Sequence, residues 1–245
     1  MLLRPHKEVA EFSGAFFPVT MLGRFAAVLG VCWILLTAAS ERPSLEAQVL
    51  DRINFARQYP QEYAEQLRDY RRYFEGRLLY LPGDPNGVIT SEGIDAVDEA
   101  IEFLERQRPL PPLGHGDLLE LAARDHANGQ GPIGGRGHVS SDGASPGERV
   151  RRHGGDIYVG EGISYGYDQA DAIVRQLIVD DGVRDRGHRA LLFNGDFRYA
   201  GVGCGGHRQF GHMCVVDMSA TINGAPVLPA WASKGQLVRS RLAAR

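Results

Sequence analysis

Lysine is almost missing from this chain: of its 27 basic residues only Lys7 and Lys234 are lysines, and the rest are arginines. Nor do bases outnumber acids. The 27 bases stand against 30 acids, a formal charge of −3, which leaves no cationic field for nucleic acid to condense upon. No apolar run approaches the roughly 20 residues a spanning helix needs, so a multi-span membrane protein is excluded. The glycine-rich run GPIGGRG has no Gly-Lys-Ser/Thr and is no phosphate-binding loop; it reads as a flexible connection. There is no internal repeat and no low-complexity tract. Against these absences, 43% apolar and 23% charged residues are ordinary globular values. Glycine is the one excess, 31 residues or about 13% against a usual ~7%, and it implies many tight turns and long connections.

The first 40 residues read as a prefix followed by an export signal. From Met21 the chain runs MLGRFAAVLGVCWILLTAAS: Arg24 is the positive start, Phe25 to Leu36 the apolar stretch, and Thr37-Ala38-Ala39 a small-residue cleavage site. Met21 is then a candidate true start, and a retained anchor is the alternative reading. Cys32 lacks the small preceding residue of a lipoprotein signal. The expected mature chain begins near Glu41, is secreted or periplasmic, and carries no membrane span. It keeps two cysteines, Cys204 and Cys214, ten residues apart between two apolar runs. In an oxidising compartment such a pair reads as a disulfide across a hairpin rather than as a metal pair.

Helical spacing of Leu45, Val49, Ile53 and Phe55 predicts a helix from Ser44 to Leu67, capped by Ser44 and kinked or interrupted at Pro60. Aromatic, basic and turn-rich residues 68–93 read as a connection or insertion. Helices are expected at Ile94–Gln107 and Asp117–Asn128, separated by the Pro109–Leu113 run, and a short one at Glu148–Arg152. An apolar strand is expected at Ile157–Val159, and a helix capped by Asp168 and stopped by Gly182. Strands at Tyr199–Cys204 and Met213–Met218 complete the chain. Helices with few strands imply an α+β layering around a small sheet.

Seven of the eight histidines lie between His115 and His212, and glycine precedes five of them. Histidine is the commonest metal ligand and titrates near neutrality. His126 falls inside a helix and reads as a packing or surface residue. His207 and His212 read as exposed loop residues, and His115 and His153 have no acids evidently arranged about them. His138 and His188 differ, since each sits in a loop near acids: Asp142 for the first, Asp180, Asp181 and Asp185 for the second. Two acids in the last turn of a helix oppose its dipole, a local conflict of the kind functional sites show. Glu161, between two glycines, is a third acid on a tightly turning backbone. Gly162-Ile-Ser164-Tyr-Gly166 matches the nucleophile elbow of serine hydrolases, and Asp180 and His188 follow in the right order. Both lie within 24 residues of Ser164, however, and repeated βαβ units are lacking, which makes this the weakest reading.

The motifs VLDRINFAR, LPPLGHGDLLELAARDHA, GRGHVSSDG, GASPGERVRRHG, GEGISYG and LIVDDGVRDRGHRALLFNGDFRYAGVGCG, in that order, resemble the CAP superfamily of cysteine-rich secretory, antigen 5 and pathogenesis-related proteins, in its bacterial exported form. The likeness runs from about Leu45 to Ala220. With the export signal, it divides the chain into a prefix and signal over residues 1–40, a domain over 41–222 with an insertion at about 68–108, and a tail over 223–245 beyond the likeness. It implies an α-β-α sandwich in which a three-stranded antiparallel sheet lies between helical layers. It also implies a cleft tetrad, His138 and His188 with the acids Glu161 and Asp180. Asp181 competes with Asp180 for the fourth place, because Leu177 stands where the family has a tryptophan. Gly162 stands where the family has asparagine. Two imidazoles leave further positions open on a divalent ion, zinc foremost, and carboxylates behind them would set their tautomers. The resemblance thus implies a non-enzymatic module binding lipid, sterol, metal or an extracellular protein. The alternative is a metal-dependent hydrolase with Glu161 or Asp180 as general base.

Overall fold

The computed structural model describes residues 42–228; the expected prefix and export signal, and most of the expected tail, lie outside them. Helix α1 spans Leu45–Gln58 and α2 spans Pro60–Arg71. Ser44 caps the first, its hydroxyl accepting from the Ala47 amide. Pro60 opens the second, where its missing N–H costs nothing. The interruption at Pro60 is as expected, and the helical run extends four residues beyond Leu67, to Arg71.

The 68–93 segment is not a plain connection. It carries three two-residue strands, β1 (Phe74–Glu75), β2 (Leu78–Leu79) and β3 (Val88–Ile89), paired antiparallel as a small sheet. Then follow α3 (Ile94–Arg106), β4 (Gly114–His115), α4 (Asp117–Gln130), α5 (Pro146–Arg152), β5 (Gly160–Tyr165), α6 (Ala170–Val179), α7 (Gly187–Leu192), β6 (Tyr199–His207) and β7 (Gly211–Ser219). The main sheet has the order β4-β6-β7-β5. Its three long members are antiparallel, as expected, and short β4 adds a parallel pairing beside β6.

Side chains alternate between the faces of this sheet. On one face Cys214, Val216 and Met218 of β7 join the main core with α1, α2, α3 and α6. On the other, Met213 and Val215 pack with Ala123 and Ala127 of α4 and with Ile163 of β5. The architecture is α+β, with the antiparallel sheet between helical layers. Cys204 and Cys214 face each other across the β6–β7 hairpin and are disulfide-bonded.

Close approach explains part of the glycine excess. A Cβ at Gly201 would stand 1.9 Å from the Glu120 amide nitrogen, and one at Gly203 2.3 Å from that of Arg124. Helix α4 therefore lies directly on the β6 backbone, and only glycine permits that.

Three expectations fail. The strand foreseen at 157–159 begins instead at Gly160, so Glu161 lies within β5 and not on a turn. Asp168 does not cap α6; Gln169 precedes the helix without a side-chain bond. Asp180 and Asp181 follow the last turn of α6 rather than sitting in it, so the dipole conflict is not realised. Asp180 instead accepts the amides of His188 and Arg189 at the start of α7, where a negative charge is favoured.

Candidate functional site

Strand β5 is the edge of the main sheet, and neighbouring residues on it point to opposite faces. Glu161 points to the α4 face, where the loop after α4 brings His138. Its Oε1 lies 2.8 Å from His138 Nδ1. Gly162 turns toward α6 and α7, and a Cβ there would stand 3.6 Å from His188 Cδ2. The two histidines thus reach the sheet edge from opposite layers. Both line one cleft of about 650 Å³. Glycine at 162 leaves room beside the second imidazole, while the orientation of Glu161 follows from strand geometry and not from the identity of its neighbour.

Of the two adjacent acids, Asp180 is the one that meets His188. Its Oδ1 is 2.6 Å from His188 Nδ1, and its Oδ2 accepts the His188 and Arg189 amides at 2.9 and 3.2 Å. The left-handed backbone at Asp180 (φ 58°) turns the buried carboxylate back toward α7. Asp181 has a different task. It accepts the Ser91 and Glu92 amides at 2.7 and 2.6 Å and so holds the 68–93 segment against the site. Glu92 in turn accepts from the Gly182 amide and pairs with Arg186.

Each imidazole gives its Nδ1 to a buried carboxylate, and neither Nε2 has a partner among the described residues. The hydrogen bond to Glu161 raises the pKa of His138 against the opposing effect of burial. With Nδ1–H directed at a carboxylate, the neutral ring carries its lone pair on Nε2, the tautomer suited to receiving a cation or a proton. Among the described residues no group of three or more His, Cys, Asp or Glu side chains is placed to hold a metal. Two imidazoles with unpartnered Nε2 atoms are a donor set that would leave the other positions of an ion to solvent or ligand oxygen.

Two residues that the sequence does not single out complete the Glu161 side. Arg149, fully buried, pairs with Glu161 Oε2 and donates to the His138 carbonyl at 3.0 Å, the Ser140 hydroxyl at 3.0 Å and the Ala144 carbonyl at 3.2 Å. One guanidinium therefore fixes both the loop and the carboxylate. Nothing in RVRR marks that arginine over its neighbours. Asp217, fully buried on β7, pairs in register with Glu161, and neither of its carboxyl oxygens has a donor partner among the described residues. Burial first, and the Glu161 charge second, hold it well above the usual carboxylate range. Its sequence signal was available: an acid inside the apolar run Val215-Val216-Asp217-Met218.

The remaining histidines sort themselves by burial. His126 is buried in α4 and bonds Ser140 Oγ and the Gly137 carbonyl, each at 2.9 Å, so it is a packing residue. His207 is not an exposed loop residue: it lies buried at the end of β6, bonds the Gly135 carbonyl at 2.7 Å and stacks with Tyr165 and Phe210. That contact, with Arg208 N–H donating to the Gly131 carbonyl, makes the glycine-rich connection an anchored loop. His212 is exposed. His115 lies beside Asp117 and Glu120, and His153 beside Asp125, so both have acidic partners that the sequence did not reveal. Ser164 is buried within β5 with its hydroxyl turned to Gln176. It occupies no strand-to-helix elbow, because the strand continues past it.

The sequence model of the cysteine-rich secretory protein family, CAP, matches residues 50–218. Among solved structures, an outer surface protein from Borrelia burgdorferi is similar at 20% identity with a TM-score of 0.37, over 44% of this chain and 77% of that one. An extracellular protein containing a SCP domain from Bacillus anthracis str. Ames is similar at 21% identity with a TM-score of 0.38, over 49% of this chain and 36% of that one. No curated protein matches. With a family match over more than two thirds of its length and the antiparallel sheet between helical layers, the chain belongs to the cysteine-rich secretory protein (CAP) family.

Proposed function

We propose that the domain is an exported, non-enzymatic binding module whose cleft takes an amphiphilic ligand, with the ligand's polar end beside His138 and His188. The observation that carries this reading is the make-up of the cleft. One wall is apolar, with Phe74, Leu79 and Val88 from the small sheet and Val183 from the α6–α7 loop, and the polar floor is the two imidazoles. A volume of about 650 Å³ lies within the ~300–1,000 Å³ of small-molecule sites. Glu161 and Asp180 are both engaged by their histidines and by buried N–H donors, so neither is free to act as a general base from the cleft. Both mature cysteines are in the disulfide, and Ser164 is buried, so no nucleophile faces the cleft from these residues.

One specific observation favours a second role for the floor: the two unpartnered Nε2 atoms backed by carboxylates would hold a divalent ion such as zinc. Such an ion would supply Lewis-acid polarisation of a ligand oxygen, while the chain's own part is to fix the tautomers and ring planes through Glu161 and Asp180.

The primary test is displacement of a long-chain fluorescent probe from the protein and from a Phe74→Ala, Val88→Asp variant. At least a tenfold weakening in the variant is expected; equal affinity would sink the amphiphile reading. The metal role is tested by zinc content after dialysis of the wild type and a His138→Ala, His188→Ala double variant. Zinc is expected to be lost from the variant, and full retention there would remove the imidazoles as ligands.

A further inference from the structure

The charged groups lining the cleft fall into two unequal sets. The acids are compensated internally: Asp180 by the His188 ring and two amides, Asp181 by the Ser91 and Glu92 amides. Behind the floor, the Glu161 carboxylate is offset by Arg149. The two cleft arginines are not compensated. Arg136 and Arg175 both line the cleft, and neither has a carboxylate within 4 Å among the described residues. Asp171, one turn earlier on α6 than Arg175, is instead paired with Arg52.

Both guanidiniums rest on aromatic faces. Arg175 lies 4.3 Å from the Tyr70 ring centroid, and Arg136 lies 5.1 Å from that of Phe210 and 5.8 Å from that of Tyr165. Such contacts use the flat face of a guanidinium; beyond the bond Arg175 makes with the Tyr70 hydroxyl, the in-plane N–H donors can meet a planar or tetrahedral anion. Arg136 lies in the loop between α4 and α5 and Arg175 on α6, so the two arginines approach the cleft from separate elements. The segment that supplies the apolar wall is bound to the site by Asp181, which keeps that wall and the cationic positions in one frame.

We propose that the cleft selects an anionic single-chain amphiphile, an apolar body ending in one carboxylate or phosphate, and that Arg136 and Arg175 recognise the anion. This rests on the amphiphile-binding reading above and adds the sign of the head group. Arg175 is half-buried and Arg136 exposed, and their contacts with an anion discriminate between charged and neutral heads, since charge-assisted hydrogen bonds are about twice as strong as neutral ones.

The test is a head-group series of equal chain length, with dodecanoate, dodecyl phosphate, dodecanol and dodecyltrimethylammonium each kept below its micelle concentration. Each is titrated into the wild type, an Arg136→Gln, Arg175→Gln variant, and an Arg108→Gln control at an exposed arginine outside the cleft. Dodecanoate or dodecyl phosphate is expected to bind at least tenfold tighter than dodecanol, and which of the two is preferred identifies the anion. The double variant should lose that preference while still binding dodecanol, and the control should keep it. Equal binding of dodecanol and both anions by the wild type, or an undiminished preference in the double variant, overturns the anion assignment and leaves amphiphile binding standing. Binding of none of the four by the wild type overturns both.

Discussion

Glu161 and Asp217 stand directly opposite each other on β5 and β7, and both side chains are sealed from water. Two buried carboxyl groups this close do not both ionise without great cost. Glu161 has a guanidinium and an imidazole N–H to satisfy a negative charge, whereas Asp217 has no donor, so Asp217 is the member that keeps its proton. A folded pKa raised above the unfolded value of ~3.9 means that the native state holds a proton the unfolded chain has lost. This contribution is complete below about pH 4 and declines as pH rises through the folded pKa of Asp217. Replacement Asp217→Asn keeps the shape and removes the titration. Its melting temperature relative to the wild type is expected to rise as pH increases above about 4, and parallel profiles would show Asp217 ionised in the fold.

His138 owes its raised pKa to the hydrogen bond with Glu161. The bond favours the imidazolium in the folded state, so its contribution to stability is present below about pH 6.5 and fades as pH rises through the elevated value. In Glu161→Gln the NMR titration midpoint of His138 is expected to fall, and an unchanged midpoint would assign the shift to another group.

Asp181 joins the 68–93 segment to the α6–α7 loop. Removing its carboxylate in Asp181→Ala leaves two amides to water and is expected to cost about 1–3 kcal/mol. Hydrogen exchange should quicken at Ser91 and Glu92 and across residues 73–93, with strands β5–β7 unaffected. Asp180→Ala should act elsewhere, releasing the His188 ring and fraying α7. A shared exchange pattern for the two variants would contradict the division of labour.

Gly201→Ala and Gly203→Ala each push a methyl into the α4 backbone. Because the obstacle is main chain, the helix must lift from the sheet. Each substitution is expected to destabilise by about 3 kcal/mol or more, read from denaturant unfolding. A loss under about 1 kcal/mol would mean that α4 lies further from β6 than described.

The Cys204–Cys214 disulfide closes a short loop of sequence separation 10. In the chain-entropy account such a loop contributes about 2–3 kcal/mol. A Cys204→Ser, Cys214→Ser variant is therefore expected to fold with that loss, and the wild type in a strong reductant should match it.

Local signals in the chain were enough to locate six of the seven helices, through apolar period and through breakers and caps such as Ser44, Pro60 and the proline run before Leu113, whereas the short α7 carries no such signal and was not foreseen. The β6–β7 hairpin was equally visible as two apolar runs flanking a turn. Motif order pointed to His138, Glu161, His188 and one of Asp180 and Asp181 as neighbours in one cleft. Composition could not separate Asp180 from Asp181, since adjacent acids look alike until the left-handed backbone at 180 sends one carboxylate toward His188 and leaves the other facing Ser91. The burial of His207, the acids beside His115 and His153, the clamp of Arg149 on Glu161, and the unpaired carboxyl of Asp217 all depend on residues brought together from distant parts of the chain. Periodicity and capping act within a few residues and are written locally. Burial, ion pairing and proton affinity depend on which side chains meet, and here the folding of two opposite layers onto one sheet edge decided that.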